Sequence, residues 1–342
     1  MITVDDEDRS WRPAPDRYVD APFRRAGRSG LLLPPVSLGL WQNFGADRPA
    51  ATARDLLRRA FDLGVTHIDL ANNYGPPYGE AERTFGDVLA RDLAGHRDEL
   101  LVSTKAGYDM WPGPYGDGGS RKYLIASLDA SLRRTGLEYV DVFYHHRRDP
   151  DTPLEETAGA LVRAVTSGKA LYVGVSNYDP ESVRRIAQLL GEQDVALTLV
   201  QPAYSLFDRR PEAGVIEAAA EVGAGVAVFS PLAQGRLTDR YLDGVPEGSR
   251  ATRSRFLHRE DITEDVVRRA RGLHGIATAH GCTLAQLAVA WVLRDERVTT
   301  ALAGASSVAQ LEANVAAARV PALTDSELTA VEEFAAASGA TL

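Results

Sequence analysis

Several short apolar runs of this 342-residue chain end in side chains that can do proton chemistry. Asp69 ends the run Thr66-His67-Ile68-Asp69, Lys105 ends Val102-Ser103-Thr104-Lys105, and His146 ends Val142-Phe143-Tyr144-His145-His146; Tyr74 follows in Asn72-Asn73-Tyr74-Gly75. Other runs end in amides and hydroxyls: Ser176-Asn177, Gln201, Ser230 and Ser306. Lysine is scarce, only Lys105, Lys122 and Lys169, while arginine supplies the other 35 positive charges. A lysine kept at such a place points to a need for a compact charge with an adjustable pKa, which arginine does not offer. Taken singly, each residue has a plain structural use. Asp69 and Lys105 could be a buried ion pair, His146 a satisfied structural histidine, and Tyr74 a loop aromatic. Lys105 would also suit a Schiff base with a carbonyl substrate, as in barrel lyases. His67 is expected to point into packing, and His145 to alternate away from the rim that holds His146.

These residues act together only if the fold brings the run ends to one place. Eight apolar runs recur, at Val36–Leu40, Thr66–Leu70, Leu100–Thr104, Val140–Tyr144, Leu171–Val175, Leu197–Val200, Val226–Phe229 and Thr300–Ala303. Most are continuously apolar, the pattern of strands buried on both faces. Helical patterns lie between them. Ala53, Leu56, Leu57, Ala60 and Phe61 fall at helical spacing and stop at Gly64; Leu124, Leu128 and Leu132 close at Gly136; Asp179-Pro180 starts a further helix. Strand then helix, eight times over, predicts a (β/α)8 TIM barrel, with catalysis at the carboxyl ends of its strands. Gly27 to Gly30 is placed to turn an N-terminal hairpin, and Gln234 to Arg259 predicts a long loop, followed by an extra helix, between strands seven and eight. The domain reading is a flexible N-terminal segment, residues 1–17, and one barrel domain, residues 18–342.

Composition narrows the function classes. Hydrophobic residues at 44% and charged residues at 25% are ordinary for a globular chain, and the net charge of −9 without a basic stripe argues against nucleic-acid or membrane partners. The acidic start has no apolar core of a signal peptide, and the single Cys282 allows no internal disulfide. A cytoplasmic location is expected. No metal-ligand spacing occurs, and Cys282 is expected to be a small packing residue.

Gly64-Val65-Thr66-His67-Ile68-Asp69-Leu70-Ala71-Asn72-Asn73-Tyr74-Gly75, Ser103-Thr104-Lys105, Gly174-Val175-Ser176-Asn177, Gln201-Pro202-Ala203-Tyr204, Phe229 to Gly235 and Gly304-Ala305-Ser306 together resemble the aldo-keto reductases. The resemblance runs from about Tyr18 to Val320 and is nearest to the branch of bacterial L-glyceraldehyde 3-phosphate reductases and potassium-channel β subunits. Thr104 to Gly116 and His146 favour the reductases, since the channel subunits carry asparagine at the latter position. The resemblance implies a catalytic tetrad of Asp69, Tyr74, Lys105 and His146. Tyr74 would donate the proton, and Asp69 would hold Lys105 charged beside it. His146 would hydrogen-bond the carbonyl oxygen. A phenol ionises near pH 10, but an ammonium about 4 Å away at an effective dielectric of about 20 is worth about 4 kcal/mol, or about three pKa units. Lys105 is therefore expected to bring Tyr74 toward working pH.

No Rossmann glycine fingerprint follows a strand; the resemblance implies NADP(H) held at a different site. Ser176, Asn177 and Gln201 would hold the carboxamide, Phe229 the nicotinamide ring, and Leu40 and Trp41 would line the same site. Ser230, Pro231, Leu232, Gln234 and Gly235 would wrap the pyrophosphate, with Arg240 and Arg250 on phosphates. Gly304, Ser306, Gln310 and Asn314 would hold the adenosine end, with Ser306 opening a helix. Relatives often carry glutamate before that asparagine, where this chain has Ala313. Trp41, Tyr108, Trp111 and Arg147 are expected at the substrate, Arg147 toward a phosphate. A small carbonyl compound such as L-glyceraldehyde 3-phosphate or methylglyoxal, and a homo-oligomer, are what the resemblance implies. A sensor that binds nicotinamide without turning over, like the channel subunits, is the alternative on the same fold.

Overall fold

The computed structural model describes residues 11–253 and 256–342. A two-stranded antiparallel hairpin, β1 (Arg24–Arg25) and β2 (Leu32–Leu33), precedes eight parallel strands: β3 (Val36–Gly39), β4 (His67–Asp69), β5 (Leu101–Ala106), β6 (Val140–His145), β7 (Ala170–Ser176), β8 (Leu197–Gln201), β9 (Gly225–Phe229) and β10 (Val298–Ala303). They close in the order β10-β3-β4-β5-β6-β7-β8-β9. The expected (β/α)8 barrel is thus formed; β3 and β4 are shorter than their apolar runs, while β5, β6 and β7 run further toward their carboxyl ends than the runs suggested. Lys105 pairs with Tyr144 and Ala106 with His145, so the lysine is still inside β5 rather than beyond it.

The helices follow from apolar spacing and caps. They are α1 (Ala50–Asp62), α2 (Glu80–Val88), α3 (Arg121–Thr135), α4 (Leu154–Thr166), α5 (Pro180–Gly191), α6 (Val215–Val222), the single turn α7 (Arg250–Arg253), α8 (Glu264–His280), α9 (Leu284–Leu293), α10 (Val308–Ala316) and α11 (Asp325–Glu332). α1 buries Ala53, Leu56, Leu57, Ala60 and Phe61, the residues its periodicity singled out. Asp179 accepts from Ser182 N to cap α5, with Pro180 in its first turn, and Gly136 ends α3 at φ 70°. The segment between β9 and β10 contains the short turn α7 and two long helices, α8 and α9, the extra helix and the regular barrel helix that the sequence reading placed there. No single helix among the described residues is long and apolar enough to cross a membrane.

The hairpin plugs the amino end of the barrel. Ala26 and Leu33 pack on Leu101, Val142, Tyr144, Leu199 and Ala227. Gly27 holds φ 54° there, and an added Cβ would collide with the Gly223 carbonyl, so only glycine fits. Residues 11–17, read as part of a flexible segment, are tied to α1 instead. Trp11 Nε1 and Ala14 N both donate to Asp62, and the Arg58 guanidinium lies over the Trp11 ring at 5.4 Å. An aromatic anchor and two hydrogen bonds to one carboxylate outweigh the entropy of a free end.

Candidate active site

The carboxyl ends of β4, β5 and β6 bring Asp69, Lys105 and His146 to one rim, and the β4–α2 loop carries Tyr74 back over them. Lys105 is fully buried. Its ammonium donates to Asp69 Oδ2 at 2.5 Å, to the Leu70 carbonyl at 2.7 Å and to Tyr74 Oη at 3.4 Å. All three N–H bonds are therefore committed, which suits a fixed cation and not a free amine nucleophile. Asp69 Oδ1 accepts from Ser103 Oγ at 2.7 Å and Gln201 Nε2 at 3.2 Å. Behind the lysine, Thr104 Oγ1 and Arg134 Nε both reach the buried Glu82 at 2.6 Å, pinning α2 and α3 to β5.

His146 stands edge-on to Tyr74 at 5.9 Å and to Tyr108 at 4.7 Å between ring centres, and its Nδ1 is buried without a hydrogen-bond partner among the described residues. Burial, reinforced by the nearby Lys105, holds its pKa well below 6.5. The imidazole is thus neutral through the physiological range. It can still donate one N–H to an oxygen. We expect no acid limb near pH 6.5 in the kcat/KM profile for carbonyl reduction; a limb at that value, lost in His146→Gln, would contradict this.

Tyr74 departs from expectation in one respect. Burial, with added repulsion from Asp69 and Tyr108, pushes its phenol well above 10 rather than down toward neutrality. Removing the phenol from water penalises the phenolate more than the ammonium 3.4 Å away repays. The resting residue is therefore protonated, and the cation acts on the phenolate as it forms. His145 points away from this group, as its alternation with His146 implied, and shares a 2.7 Å hydrogen bond with Tyr178 Oη.

The other residues singled out in the sequence fall into a cleft along the same rim or beside it. Leu40 is buried and its N–H donates to Asp69 O; Trp41 packs on Phe256 at 5.0 Å and lies under the Arg250 guanidinium at 5.9 Å. The long segment after β9 thus reaches back across the barrel mouth to β3. Ser176 Oγ donates to the Gln201 carbonyl, while Asn177, at φ 55°, donates to Ser176 Oγ and His146 O. Gln201 spends its amide on Asp69 rather than facing out alone. Phe229 is half-buried at the end of β9. After it Ser230, Ala233 and Gln234 are left-handed and Gly235 has φ 99°, so the stretch through Pro231 and Leu232 curls tightly. The Gln234 Oε1 inside this curl is buried and has no hydrogen-bond partner among the described residues.

Arg250 is half-buried, and its burial together with Arg240 and Arg48 lowers its pKa. No carboxylate pairs with it among the described residues. Such a cation suits a phosphate ligand. Gly304 leaves open space, since an added Cβ would meet only the Gly39 carbonyl at 3.7 Å. Ser306 does not open α10. Ser307 is the cap, accepting from Gln310 N, because its hydroxyl sits one residue before the first helical turn, and Ser306 Oγ and N both donate to Gln310 Oε1. Asn314 is buried and donates to the Gly304 carbonyl.

On the substrate side, the Arg147 guanidinium lies over Tyr108 at 4.4 Å, donates to Gly107 O and forms a two-pronged pair with exposed Asp117 at 2.8 Å. Trp111 stands one layer back, against Tyr123 at 5.2 Å, and Tyr123 Oη in turn donates to Tyr108 O. Sequence reasoning missed Asp117 and Phe256. Their partners Arg147 and Trp41 are distant in the chain, so no local pattern marks them. It also passed over Ser103, which stands two residues before Lys105 and so on the same face of β5.

A closed parallel barrel with an acid, a buried ammonium, a phenol and an imidazole on its carboxyl rim defines a class of carbonyl-processing enzymes. The aldo/keto reductase family model matches residues 35–336, and the chain belongs to that family. It is an oxidoreductase. It is 51% identical over 331 residues, covering 95% of this chain and 96% of the other, to the L-glyceraldehyde 3-phosphate reductase of Escherichia coli O157:H7. It is also 35% identical over 322 residues, 91% of this chain and 95% of the other, to a probable voltage-gated potassium channel subunit beta of Arabidopsis thaliana. The holo form of the aldo-keto reductase AKR11C1 from Bacillus halodurans superposes with a TM-score of 0.75 at 26% identity, covering 94% of this chain and 98% of that one.

Proposed function

We propose that this protein is an NADPH-dependent reductase of small aldehydes, with L-glyceraldehyde 3-phosphate as its leading substrate and methylglyoxal as a second, working through residues 18–342 as one barrel unit. The observation that carries the reading is the Lys105 ammonium set between Asp69 and the Tyr74 hydroxyl, 2.5 Å from one and 3.4 Å from the other. The name of the Escherichia coli relative supports the substrate. When bound, NADPH supplies the hydride for the carbonyl carbon. Negative charge then grows on the carbonyl oxygen. Tyr74 gives that oxygen its phenolic proton, so a C–H and an O–H bond replace the carbonyl π bond. The Lys105 ammonium stabilises the phenolate left behind, Asp69 keeps the ammonium in place, and neutral His146 donates a hydrogen bond to the same oxygen.

The residues present fit the dinucleotide. Arg250, with no carboxylate partner among the described residues and with Arg240 near it, would take a phosphate beside the tight curl at 230–235; the Gln234 oxygen, which can only accept, would meet a hydroxyl or amino group of the dinucleotide; and the open space at Gly304 would take the adenosine end. Ser176, Asn177 and Gln201 would orient the carboxamide, and Phe229 would face the ring, with Leu40 and Trp41 along the wall.

Arg147 deepens the substrate reading. Its pair with Asp117 is exposed, and exposed pairs are held weakly, by about 0 to 1 kcal/mol. A substrate phosphate, with more charge than one carboxylate, can displace Asp117. Arg147→Met should lower kcat/KM for L-glyceraldehyde 3-phosphate by about 10- to 100-fold while changing that for unphosphorylated glyceraldehyde less than about threefold. Equal losses on both aldehydes would remove Arg147 from the phosphate.

A further inference from the structure

The barrel interior is divided unevenly. On the side of β6, β8 and β9 it is filled by Val142, Tyr144, Leu199 and Ala227, the apolar filling usual for such barrels. On the side of β10, β3, β4 and β5 it holds Thr300, Ser37, His67 and Ser103, all essentially inaccessible to solvent. Polar groups cost free energy there unless each is bonded. Each one is bonded: Thr300 Oγ1 lies 2.6 Å from Ser37 Oγ, Ser37 Oγ 2.9 Å from His67 Nδ1, His67 Nε2 3.0 Å from Ser103 Oγ, and Ser103 Oγ 2.7 Å from Asp69 Oδ1.

The direction of every bond is forced from the Asp69 end. A carboxylate only accepts, so the Ser103 hydroxyl hydrogen goes to Asp69. Ser103 Oγ must then accept from His67, which places the imidazole proton on Nε2. Burial holds the His67 pKa down at about 4, so Nδ1 is bare and accepts from Ser37. Ser37 Oγ, its hydrogen given to His67, accepts from Thr300 at the far end of the chain, the shorter of the two contacts open to that hydroxyl, the other being the Pro35 carbonyl at 3.3 Å. Four strands thus contribute donors that all lead to one carboxylate oxygen. The other oxygen of that carboxylate holds Lys105.

We propose that Ser103, His67 and Ser37 are positioning residues, a one-way chain of hydrogen bonds that fixes Asp69 and through it sets the Lys105 ammonium beside Tyr74. The inference rests on the reading of Tyr74 as proton donor. With the chain cut, Asp69 loses a donor to its charged form and competes harder for the lysine proton. The ammonium then supports the Tyr74 phenolate less well. Tyr144 and Glu82 also face Lys105, and His146 faces Tyr74, but these groups are unchanged by the cut.

The test has two parts. Histidine-selective ¹⁵N NMR on the full chain, assigned with His67→Gln, should show His67 neutral and protonated on Nε2 from pH 6 to pH 8; protonation on Nδ1 would overturn the chain. In kinetics with NADPH and glyceraldehyde, Ser103→Ala should lower kcat by about tenfold with KM unchanged, while Ser103→Thr, which restores the hydroxyl, should recover most of it. Unchanged kcat in Ser103→Ala, or a loss that Ser103→Thr does not recover, with Tyr74→Phe inactive, would overturn the positioning role and leave the donor reading intact. Full activity in Tyr74→Phe would overturn the donor reading itself.

Discussion

Tyr74→Phe should reduce kcat for aldehyde reduction by at least about 10³-fold, within the range a positioned general acid supplies. NADPH affinity should stay within about twofold, because the lost hydroxyl bonds Lys105 and belongs to no residue proposed to hold the cofactor. The structure makes the substitution clean. The phenol is partly buried and, among the described residues, its hydroxyl is bonded to Lys105, so phenylalanine keeps the packing on Lys105 and His146. Stopped-flow reduction of a single turnover measures the chemical step directly. A loss confined to KM would mean that Tyr74 only orients substrate.

Breaking the buried ion pair should have a large effect on stability as well as rate. Lys105→Met leaves the Asp69 carboxylate buried with no cation, and removing one partner of a buried pair costs about 3–5 kcal/mol. Replacing both, as Asp69→Asn with Lys105→Met, should recover most of that loss, since an amide and a thioether need no charge partner. Neither variant should reduce aldehydes at a measurable rate, as no cation then faces the phenolate. Chemical denaturation of the three proteins measures the first effect, and turnover the second. If the double variant is as unstable as the single one, the pair serves mainly as packing. If it turns over normally, the ammonium has no part in the chemistry.

The sequence announces most of this fold. Buried parallel strands are apolar throughout, and the eight runs stand out for that reason. Helix caps such as Asp179-Pro180 are local, hence readable. Asp69, Lys105 and His146 were legible because each closes an apolar run, Tyr74 stood out in the loop that follows the first of these runs, and the roles of all four came with the family resemblance. What stayed hidden depends on distance through space. The rise in the Tyr74 pKa comes from burial, which composition does not show. The Arg147–Asp117 pair joins loops 30 residues apart. Residues 11–17 are ordered by Asp62, a contact with no sequence signature. Ser307 rather than Ser306 caps α10 because a one-residue offset decides which hydroxyl reaches the first free N–H. The interior chain from Thr300 to Asp69 escaped notice because each member looks like an ordinary small polar residue until four strands are set side by side.

The central claim is that this rim reduces a carbonyl with hydride from NADPH. Purified protein mixed with NADPH and L-glyceraldehyde 3-phosphate, with nicotinamide absorbance followed in time, tests it most directly. The account predicts steady loss of NADPH matched mole for mole by alcohol product, abolished in Tyr74→Phe. NADPH that binds tightly but is not consumed with this aldehyde, glyceraldehyde or methylglyoxal would contradict it and would place the protein with the binding-only members of the fold.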